Sequence, residues 1–164
     1  MKARMRQMCL FAGVAFGLVV VLAGTALAQS SNSNIGTWKL NVAKSKIGAD
    51  MAPQSATFTI EAAGAGIKGT VDSVTADGTA RHWEVSGNYD GKDNPITGNC
   101  QYGDVVALAR VDATTTTQIY KKGGIATVTQ TFVVSADGKT MTVTGTGTNA
   151  QGQTVNAVRV YDKQ

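Results

Sequence analysis

The chain has 164 residues and a formal charge of +4, from 15 Lys and Arg against 11 Asp and Glu. That length fits one domain. One histidine and two cysteines form no ligand cluster at a recognised zinc spacing, and no basic stripe offers a footprint for nucleic acid.

In chain order, the first element reads as a targeting segment. Lys2, Arg4 and Arg6 precede an apolar run from Cys9 to Leu22, and Ala26-Leu27-Ala28 is a small-residue cleavage site before Gln29. The run is short for a membrane span of about 20 residues, and Cys9 lies at its start, not next to the cleavage site, so a lipoprotein anchor is not expected. Residues 1–28 are therefore expected to be a signal peptide and the product periplasmic or secreted, with no stable membrane anchor. Three of the 15 basic residues leave with the signal, so 12 remain against 11 acidic ones, a charge of +1. Cys9 leaves too, and Cys100 alone cannot make an internal disulfide. The stability of the mature chain must then come from its own core.

Residues 29–34 (QSSNSN) read as a disordered tail and residues 35–164 as the folded domain. Ile35–Leu40 is the first strand. Asn41 to Ser55, ending near Pro53, reads as a linker with one helical turn. From Ala56 the sequence alternates with period two or carries turn chemistry. The expected strands are Thr57–Glu61, Ile67–Val74, Ala80–Ser86, Ile96–Thr97, Val105–Val111, Thr115–Lys121, Ile125–Val134, Thr140–Thr146 and Val155–Tyr161. Asp77-Gly78 and Asp137-Gly138 signal type I′ hairpins, and Asn88–Pro95 reads as the longest loop. Abundant Thr and Val suit pleated strands, and the short connections favour antiparallel neighbours. The expected fold is all-β: an antiparallel up-and-down barrel of about nine or ten strands with little helix. Closure removes the exposed edges.

Catalytic chemistry is sparse. His82 lies mid-strand, out of phase with Trp83, and reads as a surface residue beside Glu84. Most carboxylates sit in turns, where Asp serves the backbone. Asp90, Asp93 and Asn94 cluster oxygens without the EF-hand spacing. Cys100 reads as a buried, inert thiol. No catalytic residue is assigned, and no enzyme, metal or cofactor is expected.

Gly36-Thr37-Trp38-Lys39-Leu40 resembles the first strand of the calycin barrels, the lipocalins and the fatty-acid-binding proteins. Val158-Arg159-Val160-Tyr161-Asp162-Lys163 is similar to the Arg-x-Tyr-x-Lys ending of the fatty-acid-binding proteins. The segments GTWKLNxAKSK and DGKDxPxTG also resemble a set of exported bacterial proteins, a likeness that implies a lipocalin-like barrel. The resemblance implies that Arg159 and Tyr161, which share one strand face, point inward and hold a ligand carboxylate. It equally implies a structural role, in which Arg159 covers Trp38 and closes one end of the barrel. The chain departs from the fatty-acid-binding proteins in one respect: Asn41 to Ser55 is too short for their two lid helices. Trp83, on one face with Arg81 and Val85, and Arg110, on one face with Val106 and Leu108, complete the candidate ligand-binding residues. The expected function is binding of a small apolar or amphipathic molecule, such as a fatty acid, by a monomer. The alternative is an envelope structural or inhibitor-like interaction barrel with a filled interior, and inward side-chain size distinguishes the two.

Overall fold

The computed structural model describes residues 32–48 and 52–164. The expected signal segment 1–28 and residues 29–31 of the tail lie outside the described residues. Within them the chain forms ten strands: β1 (Gly36–Lys46), β2 (Ser55–Ala63), β3 (Gly66–Val74), β4 (Ala80–Gly87), β5 (Asp90–Gly98), β6 (Val105–Arg110), β7 (Thr115–Lys122), β8 (Ile125–Val134), β9 (Thr140–Thr148) and β10 (Thr154–Lys163). Each pairs antiparallel with the next, and β10 returns to β1, so the sheet closes into an up-and-down barrel. No described residue is helical.

Period-two alternation decides what each strand buries. In β8, Val128, Gln130, Phe132 and Val134 are buried while Thr129 and Val133 are exposed. In β10, Val155, Ala157, Arg159 and Tyr161 are buried, and Asn156 faces solvent. The inward rings lock one another: Phe58 lies 5.7 Å from Phe132 and 6.3 Å from Trp83, centroid to centroid.

One end of the barrel is plugged. Trp38 is fully buried, and its Nε1–H donates to the Asn34 carbonyl at 2.7 Å. Asn34 in turn donates through Nδ2 to Thr116 Oγ1 at 2.8 Å, Ser33 Oγ donates to the Ala113 carbonyl, and Asn32 Nδ2 donates to Tyr89 Oη. Residues 32–34, expected in the disordered tail, are therefore part of the fold, because their polar groups satisfy the closed end.

Three local expectations change. β1 runs on to Lys46 where a helical turn was expected, with an irregularity between Asn41 and Lys46. Side chains replace ladder bonds there: Asn41 Oδ1 accepts from Lys44 N–H, Ser45 Oγ donates to the Asn41 carbonyl, and Val160 N–H donates back to Ser45 Oγ. The expected loop Asn88–Pro95 is mostly strand, for β4 ends at Gly87 and β5 begins at Asp90. The two Asp-Gly hairpins are not type I′ turns, which need positive φ at both central residues. Only the glycines are left-handed, Gly78 at φ 85° and Gly138 at φ 68°. In each hairpin the carboxylate instead caps the loop. Asp77 Oδ1 accepts from Thr75 Oγ1 and Thr79 N–H, and Asp137 Oδ1 accepts from Ser135 Oγ and Lys139 N–H.

Candidate functional site

The other end of the barrel opens onto an internal cavity of about 510 Å³. Its rim is the end to which an up-and-down barrel brings the β3–β4 turn, the β9–β10 turn and the loop between β5 and β6, and Asp77, Gln153 and Gln101 line it from those three connections. The volume is within the range of small-molecule sites, roughly 300–1,000 Å³.

Three of the residues singled out from the sequence, Arg159, Tyr161 and Trp83, line this cavity together. β10 contributes Arg159 and Tyr161 two residues apart on its inner face, and β4 contributes Trp83 with Arg81 on its inner face. Arg159 is 6% exposed, and its Nη1 is buried without a hydrogen-bond partner. Space for it comes from Gly145 on β9, where a Cβ would lie 3.4 Å from that nitrogen. Tyr161 is buried beside it. Burial pushes its phenol up to about 12, although the Arg159 charge pulls the other way. Tyr120, fully buried, is raised well above the ordinary tyrosine value, again chiefly by burial, and its hydroxyl donates to Gln118 Oε1 at 2.7 Å.

The cavity's charge balance is uneven. Among the described residues, the one carboxylate on its lining is Asp77, at the rim. The Thr75 hydroxyl and Thr79 N–H that it accepts hold it down at about 2. Arg81 stands on the same wall. Its Nη1 donates to the Asn99 carbonyl at 3.4 Å, while its Nε is buried and unpartnered. A buried guanidinium is costly unless an anion or several acceptors meet it. The arrangement can therefore receive an acidic group at depth and hold an apolar body against rings.

Arg110 is not brought to this site. It lies at the plugged end, its Cζ 4.6 Å from the centre of the Tyr89 ring. The pairing of Arg159 with Trp38 is also replaced: the cation over the Trp38 ring is Lys163, at 5.0 Å. Arg159 sits too far up the same strand face to serve there, since Trp38 is opposite Lys163 in the β1–β10 register.

The remaining candidates lie elsewhere. His82 is exposed on the outer surface, with its Nδ1 2.7 Å from Asp72 Oδ1 on β3 rather than beside Glu84 alone. Asp90 and Asp93 each pair with a lysine, Lys92 and Lys121, and Asn94 Nδ2 donates to the Lys92 carbonyl. Among the described residues no three His, Cys, Asp or Glu side chains converge on a metal position. Cys100 is half-buried, its Sγ accepting from Tyr102 N–H, and burial pushes its thiol up, away from reactive thiolate.

Sequence reading missed the amide and tyrosine part of the cavity: Gln130, Tyr102 and Tyr120 all line it. The inward phase of Tyr120 and Gln130 was available from the alternation of β7 and β8, whereas Tyr102 lies in the loop between β5 and β6, where no alternation applies. Nothing in one strand's pattern says which inward residues leave space and which fill it. Compared with known protein families, curated proteins and solved structures, the chain matches none.

Proposed function

We propose that the mature protein is an exported binding barrel for a small amphipathic molecule bearing a carboxylate. One observation carries the reading: Arg159 is held almost fully buried in an open-mouthed cavity with its Nη1 unpaired. A fold keeps an isolated guanidinium in its interior at a cost in stability, and such costs concentrate at functional positions. The planar fork of guanidinium donors matches a carboxylate in two parallel hydrogen bonds. Tyr161, protonated across the physiological range, adds a phenolic donor on the same wall. The likeness of the last strand to that of the fatty-acid-binding proteins supports the same two residues for the same task. Export rests on the N-terminal signal pattern of residues 1–28.

The test is native mass spectrometry of the protein purified from its exported fraction, comparing wild type with Arg159→Met. An acidic adduct on wild type that is absent from a folded variant is the expected result. Bare masses on both, with no uptake of added carboxylates, would refute the reading.

A further inference from the structure

We infer that the acid received by this cavity is a compact ring compound, an aromatic carboxylate carrying further hydroxyl or carbonyl groups, and not a long-chain acid. The inference rests on the binding reading above and narrows it.

The wall is made of rings. Phe58, Trp83, Tyr102, Tyr120 and Tyr161 all line the cavity. Trp83 meets Tyr120 edge to face at 6.0 Å and 87°, and Tyr120 meets Tyr102 at 5.2 Å. Rings held by one another at these steep angles, 87° and 58°, present a fixed, polarised lining of faces and edges. That surface suits offset or edge-on stacking with a planar guest. An alkyl chain gains little from such fixed geometry, and each of its torsions must be ordered on binding.

Polar groups are interleaved with these rings. Gln130 on β8 pairs across to Gly145 on β9, and a Cβ at Gly145 would lie 3.6 Å from Gln130 Cγ and 3.4 Å from Arg159 Nη1. Gln130 and Arg159 thus border one recess, with a guanidinium for the carboxylate and an amide for a neighbouring substituent. Gln101, Gln151 and Gln153 repeat the amide chemistry toward the rim. A methylene chain laid over these groups would strip their water and return no hydrogen bond. Hydroxyls or carbonyls on a ring would replace it.

The large aliphatic side chains that would line an alkyl channel are elsewhere. Leu40, Ile60, Ile67, Leu108 and Met141 belong to the packed core, and none of them lines the cavity. At the plugged end Trp38 is fully buried and Phe132 is 2% exposed, so no channel continues downward to take a long tail.

The experiment is calorimetric titration of the mature protein with three probes: 6-hydroxy-2-naphthoate, its methyl ester, and palmitate. The expected order puts the free naphthoate at least about tenfold tighter than palmitate. Trp83→Leu should weaken naphthoate by about tenfold or more and leave palmitate within about threefold. Tyr102→Leu supplies the same comparison from a rim-side ring should the tryptophan variant fail to fold. Palmitate binding tighter than naphthoate, and lost in Arg159→Met, would overturn the ring inference while keeping the carboxylate reading. Equal binding of naphthoate and its ester would overturn the carboxylate at Arg159 and leave the ring surface standing. Binding of none of the three at millimolar concentration overturns both.

Discussion

Lys163 holds its ammonium 5.0 Å from the centre of the Trp38 ring, directly across the β1–β10 ladder from it. The lysine stem also lies over Gly36, where any Cβ would come within 2.8 Å of Lys163 Cε. The closed end of the barrel is thus covered by the last residue of β10. A cation over an indole contributes about 0.5–2 kcal/mol. Lys163→Met should lower unfolding stability by an amount in that range, and Lys163→Arg should restore it. Trp38→Ala removes a fully buried ring and should cost about 3–5 kcal/mol. Denaturant unfolding checks all three. A Lys163→Met protein as stable as wild type would show that the contact contributes nothing.

Arg159 should behave oppositely. Its removal relieves a buried charge that no described carboxylate pairs, and Met is of similar length and apolar. Replacing buried ionic groups by well-packed apolar ones is neutral or stabilising by about 1–4 kcal/mol. Arg159→Met should therefore match or exceed wild-type stability in the unliganded protein while losing the acidic ligand. A large loss of stability instead would make Arg159 a structural residue and remove the main support for the binding reading.

The two terminal-strand residues also show how far the sequence can be read. Period two places Val155, Ala157, Arg159 and Tyr161 on one face, and that face is the interior. It gives no depth along the barrel axis. Depth depends on the β1–β10 register, which pairs Trp38 with Lys163 and Leu40 with Tyr161, and a register belongs to two strands at once. Arg110 illustrates the same limit: it shares the face of the buried Val106 and Leu108 but stands at the last position of β6, where it meets Tyr89 at the plug. A count of nine or ten strands was legible because Thr and Val alternate so regularly, and the barrel has ten. The hairpins were misread because Asp-Gly serves two turns. Here the Asp side chain caps the loop and only the Gly is left-handed.

Gly145 and Gly147 lie two residues apart on β9 and should respond differently to alanine. At Gly145 the φ is not left-handed, and a Cβ would meet its nearest neighbours at ordinary contact distances of 3.4–3.6 Å. Gly145→Ala should stabilise by about 0.4–1 kcal/mol through the unfolded chain, while narrowing the recess between Arg159 and Gln130. Gly147 has φ 134°, and its Cβ would collide with the Thr127 carbonyl. Gly147→Ala should destabilise by more than the Gly145 variant stabilises. Thermal unfolding of the pair provides the comparison, and equal shifts would contradict this account.

With Tyr120, which burial also raises, Tyr161 gives the alkaline limb of the stability profile. Burial raises its folded value to about 12, against about 10 in an unfolded chain. The unfolded state can then ionise first. Its contribution is complete below about pH 10 and is lost as the pH rises toward about 12. Tyr161→Phe should make this limb of a urea-midpoint profile shallower, and an unchanged slope would show that Tyr161 does not contribute to it.

Acid should act through the turn and strand-end aspartates. Asp77 is held at about 2 by Thr75 and Thr79, and Asp137, Asp162, Asp112, Asp104 and Asp90 are lowered too, by hydrogen bonds from Ser135, Asn41, Thr114, Lys122 and Lys92 respectively. An unfolded aspartate takes its proton near about 3.9. A depressed folded value means that the unfolded state binds protons first as the pH falls, so each group's contribution is present above about pH 4 and declines below it, that of Asp77 as the pH drops toward about 2. Stability should be flat from neutral pH to about 5 and then fall steeply. These groups are exposed except for the half-buried Asp162, so salt should reduce the share that comes from the lysine contacts of Asp90, Asp104 and Asp162 but not the share from the hydroxyl and backbone donors of Asp77 and Asp137. Asp77→Asn should reduce the acid slope at both low and high ionic strength. If its slope matches that of wild type, the loop carboxylates are not what makes the barrel acid-sensitive.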